Sequence, residues 1–432
     1  MGIGEAFCME SSDSKISIDM AADAPQTNTL PPTVVPETPR SEIVILEAWW
    51  RKWWHASLQT LPMYIALHIV FGLTSCFAVL FTQPDFTRKG VPLYMAWQSW
   101  FRWDATHFRT IATSGYDWPW RTAFFPFYPL CVKALMVLTH SSALRGELVV
   151  SNLACFVLFV VFYQLVCEDF DEERARRAML YLWLFPTSFF LVAPYNESLF
   201  ICFSLLCFYQ LRHGNWWLAG LFGFFASLTR STGLFLVLPF CYEYLRQRKF
   251  SFGSIRVDVV SMILVPAGIG VFALYCYYRF GDLLAFSHAQ ATWAHHLHGP
   301  WHGLIGSIKA IIISDGILSF QSQRNLLDLV PSLFILTMII LSMVGPWRLP
   351  RTHWSYCLYA GAVYIFLQLF PVGGTGLFPL QSQARYMLEL FPAFILLATL
   401  GKYKLFNLYY PLIAASMLFF LLTQYLTGHW VL

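Results

Sequence analysis

The sequence predicts an all-α polytopic membrane protein of about eleven transmembrane helices, and three observations predict it. Of 432 residues, 57% are hydrophobic and only 12% charged, about half the charged share of a soluble domain. Mean hydropathy is +0.54. Apolar runs recur at 61–81, 123–139, 147–167, 178–194, 195–211, 216–245, 257–278, 326–345, 354–372, 386–400 and 406–426, long enough to cross a bilayer and separated by short polar bridges. The net charge of +4 gives no case for nucleic acid. The cysteines Cys76, Cys155, Cys202, Cys207 and Cys276 lie inside apolar runs, where cysteine behaves as a small hydrophobe.

Taken in order, residues 1–45 are polar, acidic and proline-rich, without the basic start and short apolar core of a secretory signal; they read as a disordered cytoplasmic tail. Residues 46–432 read as one multi-spanning domain. It opens with Trp49-Trp50-Arg51-Lys52-Trp53-Trp54, whose rings and cations suit the headgroup layer before the first span and place the N-terminus inside. Arg246-Gln247-Arg248-Lys249 is the clearest inward segment, and Arg348 with Arg351 and Lys402 with Lys404 agree with it. Segments 83–122 and 279–325 then face outward. The run 216–245 is one long helix or two short ones turning at Arg230, and the prolines of 123–139 allow a re-entrant segment in place of a span.

The first outward segment, Tyr94 to Ala112, reads as an interfacial amphipathic helix ending at Gly115. Helical spacing puts Trp97, Phe101, Phe108 and Ile111 on one face, with Asp104 in the middle of that stripe and His107 one turn on. An unpaired buried carboxylate is costly, so Asp104 is paired, protonated or facing a polar cavity. An ion pair with Arg102, Arg109 or another arginine is the structural alternative to a catalytic or binding role.

Three later places carry polar groups among apolar ones. Asn196 and Glu197 interrupt a long apolar stretch, as a plain turn or as substrate contacts. Arg230 and Arg385 are isolated guanidiniums in apolar surroundings; a lipid phosphate, which the planar fork of arginine binds in a bidentate manner, explains two such residues, and salt bridges to Asp104 or Glu197 explain them equally. The histidine-rich loop with His295, His296 and His298 lacks helical i, i+4 spacing and an intervening acid, so no metal is expected there. Gln290 and Trp293, one turn apart, suit a sugar or headgroup better, an indole offering an apolar face and an amide both donor and acceptor.

Together these segments resemble the PIG-V family of mannosyltransferases, multi-spanning enzymes of the glycosyltransferase C class. The likeness rests on Arg102-Trp103-Asp104-Ala105-Thr106-His107-Phe108 with Gly115-Tyr116, on Ala123-Phe124-Phe125-Pro126-Phe127-Tyr128-Pro129, and on Ala193-Pro194-Tyr195-Asn196-Glu197-Ser198. Thr229-Arg230-Ser231-Thr232-Gly233, Ala289-Gln290 with Trp293, and Ala384-Arg385-Tyr386 follow in order, over about residues 92–400.

The resemblance implies transfer of mannose from a polyprenyl-phosphate carrier of the dolichyl-phosphate type to a lipid- or protein-linked glycan acceptor on the non-cytoplasmic side, as in GPI-anchor mannosylation. It implies Asp104 as the base of an inverting displacement, since a retaining mechanism wants a second close carboxylate and this segment has none. Arg385 and then Arg230 would bind the donor phosphate, His107 would orient Asp104 or the acceptor hydroxyl, and Trp103 and Tyr116 would wall the sugar site. No cofactor is expected; a small membrane partner subunit is a further expected partner.

The stretch Asp117-Trp118-Pro119-Trp120-Arg121-Thr122 lacks a glutamate that eukaryotic members tend to carry there, and only Asp117 could replace it. That departure favours a bacterial relative in the plasma membrane over an enzyme of the endoplasmic reticulum. The rival functions are a transporter or flippase of a lipid-linked sugar and a non-catalytic subunit of a transferase.

Overall fold

The computed structural model describes residues 40–82, 92–373 and 376–429, with side chains from Trp50 onward. The chain divides into two units, Met1–Trp49 and Trp50–Leu432, and the architecture below is that of the second. Of the expected tail, residues 1–39 lie outside the described residues, as do residues 83–91 of the first outward loop.

Helices carry the fold, and among the described residues the only β pairing is an isolated bridge between His295 and Val372. In chain order they are α1 (Arg40–Thr82), α2 (Tyr94–Gln98), α3 (Asp104–Ser114), α4 (Phe127–Thr139), α5 (Ala143–Asp169) and α6 (Glu172–Leu184). There follow α7 (Glu197–Arg212), α8 (Trp216–Thr229), α9 (Val237–Gln247), α10 (Leu264–Phe280), α11 (Ala285–His288) and α12 (His302–Ile313). The last are α13 (Phe320–Met343), α14 (Trp354–Leu369), α15 (Gln383–Tyr386), α16 (Phe391–Leu400) and α17 (Lys404–Leu426).

The all-α membrane class is borne out, and the chain is an integral membrane protein; the count of eleven spans is not. Among the described residues five stretches are helical, long and apolar enough to cross a bilayer: Trp50–Thr82, Ala143–Asp169, Val257–Phe280, Phe320–Met343 and Lys404–Leu426. The remaining apolar runs fold as shorter or broken helices, and the breaks fall where polar groups sit. The run 216–245 takes the two-helix form: α8 stops before Arg230, and a 3-10 turn, Ser231–Leu236, leads into α9. Gly233 makes that turn sterically feasible, because a Cβ there would lie 2.5 Å from the backbone nitrogen of Ser227. Glycine also sets the spacing of the next helix: a Cβ on Gly268 of α10 would meet the Phe224 carbonyl oxygen of α8 at 2.3 Å.

The core is a continuous apolar cluster with α5 at its centre, packed on α4, α6 and α7; α7 packs in turn on α8 and α6 on α16. Helix starts follow ordinary capping chemistry where the sequence supplies it: the Asp171 carboxylate accepts from Arg174 N–H to begin α6, and the Ser319 hydroxyl accepts from Ser322 N–H to begin α13. The amphipathic helix expected over 94–112 is two helices, not one. The chain turns between α2 and α3, Trp97 is exposed rather than part of a buried stripe, and Gly115, at φ +79°, ends α3 as expected.

Candidate active site

A cavity of about 720 Å³ opens beside the first turn of α3. Its wall gathers residues remote in sequence: Trp103, Asp104 and His107, then Asn196, Arg230, Gln290 and Trp293, then Arg385 and Tyr386.

Asp104 is the first residue of α3, and the residue before it, Trp103, stands at φ +42°. A bulky side chain in that region costs roughly 1–3 kcal/mol and persists only where the surroundings over-determine it. Here they do. The Tyr195 hydroxyl donates to the Arg102 carbonyl at 2.9 Å and the Tyr425 hydroxyl to the Trp100 carbonyl at 2.6 Å. The Arg102 guanidinium donates to the Leu426 carbonyl at 2.9 Å. The helix break thus aims the Asp104 carboxylate into the cavity.

The partner of Asp104 is neither Arg102 nor Arg109, which donates to the buried Glu147 instead. It is Arg385, 281 residues later, whose Nη1 donates to Asp104 Oδ2 at 2.7 Å. Arg385 also lies with Nε 3.3 Å from Glu197 Oε1 and donates from Nη2 to the Tyr386 hydroxyl at 3.1 Å. Its guanidinium carbon sits 5.4 Å from the ring centres of both Phe190 and Tyr195. The short turn that carries it is pinned by Asp328, which accepts from Ala384 N–H at 3.0 Å, and by the Thr187 hydroxyl, which donates to the Ala384 carbonyl at 2.9 Å.

Arg230 continues the network. Its Nη1 donates to Asn196 Oδ1 at 2.9 Å and Glu197 Oε1 at 3.0 Å, its Nε is 2.9 Å from Glu389 Oε1, and the Thr232 hydroxyl donates to Glu389 Oε2 at 2.7 Å. The Asn196 amide donates to the Thr229 carbonyl, left open where α8 ends. Of the two explanations for the isolated arginines, the salt bridges are therefore present. Three carboxylates, Asp104, Glu197 and Glu389, surround two guanidiniums, and Glu197 Oε2 is buried without a hydrogen bond among the described residues.

The remaining expected residues divide. His107 lies on the wall, stacked on Phe124 at 4.8 Å and edge-on to Trp120 and Trp293. No hydrogen bond joins it to Asp104 among the described residues, so it does not orient that carboxylate directly. Burial holds its pKa below the ordinary imidazole value, although Asp104 pulls the other way. Gln290 and Trp293 line the same cavity, the Trp293 indole on the His107 side of it. Tyr116 corrects the expectation placed on it: it is buried against Phe272 and Tyr275, donates to the Phe124 carbonyl at 2.6 Å, and supports the wall from behind without lining it. Glu197 is buried behind the wall as well, holding both arginines rather than facing the cavity. Asp117 is ion-paired with Arg121 outside the cavity.

Sequence reading missed Glu389, Tyr195 and Tyr386. Glu389 left a signal, being a carboxylate within an apolar run; the two tyrosines stand inside the motif blocks but show no role there, since it depends on which carbonyl or cation lies opposite. Among the described residues no three metal-ligating side chains converge. The His295 Nδ1 pairs with the Phe370 carbonyl, and His298 stacks on His302.

Fold and site define a helical membrane protein with a carboxylate–guanidinium pair in the wall of a cavity of about 720 Å³. Over residues 84–285 the chain matches the family model "Mannosyltransferase (PIG-V)", which bears out the resemblance read from the motifs. It is 30% identical over 199 residues to GPI alpha-1,6-mannosyltransferase 2 of Cricetulus griseus, covering 41% of this chain and 40% of that one. The human protein of the same name is 32% identical over 142 residues, covering 31% and 29%. The chain thus spans less than half the length of these relatives. Among solved structures, ArnT from Cupriavidus metallidurans bound to undecaprenyl phosphate is 16% identical with a TM-score of 0.46, over 79% of this chain and 59% of that one. The matched stretch contains Asp104, His107, Asn196, Glu197 and Arg230; Gln290, Trp293, Arg385 and Glu389 lie beyond it.

Proposed function

We propose that this protein is a membrane mannosyltransferase that moves mannose from a polyprenyl-phosphate carrier to a glycolipid acceptor of the GPI type. The observation that carries the reading is the meeting of Asp104 with Arg385 in the cavity wall. The relatives' names supply the sugar and the acceptor class.

The acceptor hydroxyl attacks C1 of the mannose and gives its proton to Asp104. The bond from C1 to the phosphate oxygen breaks, the electron pair leaves with the polyprenyl phosphate, and the sugar inverts. Charge grows on that phosphate as the bond breaks, where guanidiniums stabilise it most. Arg385 is the nearer donor and Arg230 the second. Because Arg385 already holds Asp104, an incoming phosphate competes for Nη1; Glu197 keeps the guanidinium in place as the base is released. Trp103, Gln290, Trp293 and Asn196 contact the sugars, and His107 forms part of the acceptor side.

The membrane we propose is that of the endoplasmic reticulum rather than a bacterial plasma membrane. The matching relatives named above are mammalian, and the bacterial preference drawn from the missing glutamate finds no support among them. A small membrane partner subunit belongs to the same proposal and is checked by whether the chain produced alone turns over.

The deciding experiment supplies purified protein in sealed proteoliposomes with radiolabelled dolichyl-phosphate mannose and a lipid extract. Label reaching a new glycolipid with wild type but not with Asp104→Asn, both binding donor, supports the reading. Transfer surviving in Asp104→Asn refutes it, and donor crossing the bilayer without transfer favours the flippase.

A further inference from the structure

A second cavity, of about 510 Å³, lies at the opposite end of α8 from Arg230, between Trp216, Gln247 and Arg248 on one side and Gly253, Ser254, Ile255 and Arg256 on the other. With 14 residues in α8 at 1.5 Å each, it stands about 21 Å from the active-site end. Nothing in the proposed reaction uses it.

Its chemistry is that of an interfacial phosphate site. Arg248 is fixed by its own neighbours: it donates to the Ser254 carbonyl at 3.1 Å and to Asp258 at 2.8 Å, and packs on the Tyr244 ring, 3.7 Å from its centre. Asp258 is thereby spent on Arg248, and Glu243 likewise takes Arg246. Lys249 and Arg256 then have no carboxylate partner among the described residues, and Arg256 lines the cavity. The same loop turns apolar side chains outward, with Phe250, Phe252, Ile255 and Val257 exposed by 53%, 76%, 43% and 81%. One unpaired cation in the pocket wall, Arg256, and a second, Lys249, exposed beside the wall residue Arg248, flanked by exposed apolar side chains at the start of a span, match an anionic phospholipid: headgroup on the cations, acyl chains along the apolar residues. Sequence reading placed Arg246-Gln247-Arg248-Lys249 on the inward face, where anionic lipid concentrates.

We infer that this cavity binds the headgroup of an anionic phospholipid on the cytoplasmic face. The inference is independent of the proposed reaction, and its test reads binding alone. Delipidated full-length protein in detergent is titrated with fluorescent phosphatidylserine or phosphatidylcholine, with soluble glycerophosphoserine as a headgroup-only competitor. Wild type is expected to prefer phosphatidylserine, and Lys249→Gln and Arg256→Gln each to lower that preference roughly fivefold. Among the described residues neither cation holds an ion pair, so both variants are expected to keep their melting temperature. Lys402→Gln with Lys404→Gln, removing two cations from another inward bridge, leaves the preference unchanged. Competition by the soluble headgroup, weaker than by the whole lipid, is expected; equal affinity for both lipids, loss in the Lys402/Lys404 control alone, or no competition by the soluble headgroup overturns the inference.

Discussion

Two charged clusters lie in this molecule, and they are wired differently. Around Asp169 and Glu243 every carboxylate oxygen is used: Arg212 donates to both acids, Tyr356 to Asp169, Ser355 to Glu243, and Arg246 to Glu243 through two nitrogens. Arg212 adds a bond to the Thr352 carbonyl, so this cluster staples α5, α7, α9 and the start of α14 together. The cluster around Asp104, Glu197 and Glu389 reaches a cavity through Asp104, Arg230 and Arg385, and keeps unused capacity behind the wall, with Glu197 Oε2 unbonded among the described residues. A saturated network holds helices in place; an unsaturated one beside a cavity can exchange partners with a ligand.

The comparison breaks most visibly at Asp104. Asp104→Asn removes the base while keeping the volume, and kcat is expected to fall by about 10²–10⁴ with the melting temperature nearly unchanged, in the radiolabel assay with parallel thermal unfolding. Arg212→Gln should do the reverse, leaving Asp169 and Glu243 buried without their cation and destabilising the protein by about 3–5 kcal/mol, read as unfolding in detergent, while turnover per folded molecule is kept. If Arg212→Gln lowers kcat as far as Asp104→Asn does, the division into structural and exchanging clusters is wrong.

Smaller effects sharpen it. Tyr195→Phe deletes one of the bonds that pin the strained turn before Asp104, worth about 1 kcal/mol; kcat is expected to drop roughly fivefold with KM for the donor held. The smallest effect is on pH. Burial lowers the His107 pKa, so below about pH 6.5 the unfolded chain binds the proton that the folded one does not. Stability from this residue is full above that pH and declines as pH falls towards the folded value. His107→Gln should flatten that slope in melting curves taken across the acidic range, and an unchanged slope would assign it to another group.

Much of this was legible in the sequence because the relevant physics is local. The apolar runs at 147–167 and 406–426 match α5 and α17 closely, and the run at 61–81 is the C-terminal half of the longer α1, since a span needs only length and hydropathy. Asp104, Arg230 and Arg385 stood out for the same reason, as charges where lipid tolerates few. The helix expected over 94–112 was misread because its periodicity runs unbroken through Trp103; only Tyr195 and Tyr425, from elsewhere in the chain, hold the carbonyls that force the turn.

The sequence by itself therefore determined a helical membrane protein, a family likeness over about residues 92–400 and a short roster of costly charges. Which charge meets which was decided by tertiary structure. Asp104 and Arg385 are neighbours only because α3 packs on α4 and α5 while Asp328 and Thr187 hold the turn bearing Arg385. Burial cost follows from residue type and can be read from a string of letters, whereas the direction in which a guanidinium is shared depends on three-dimensional placement.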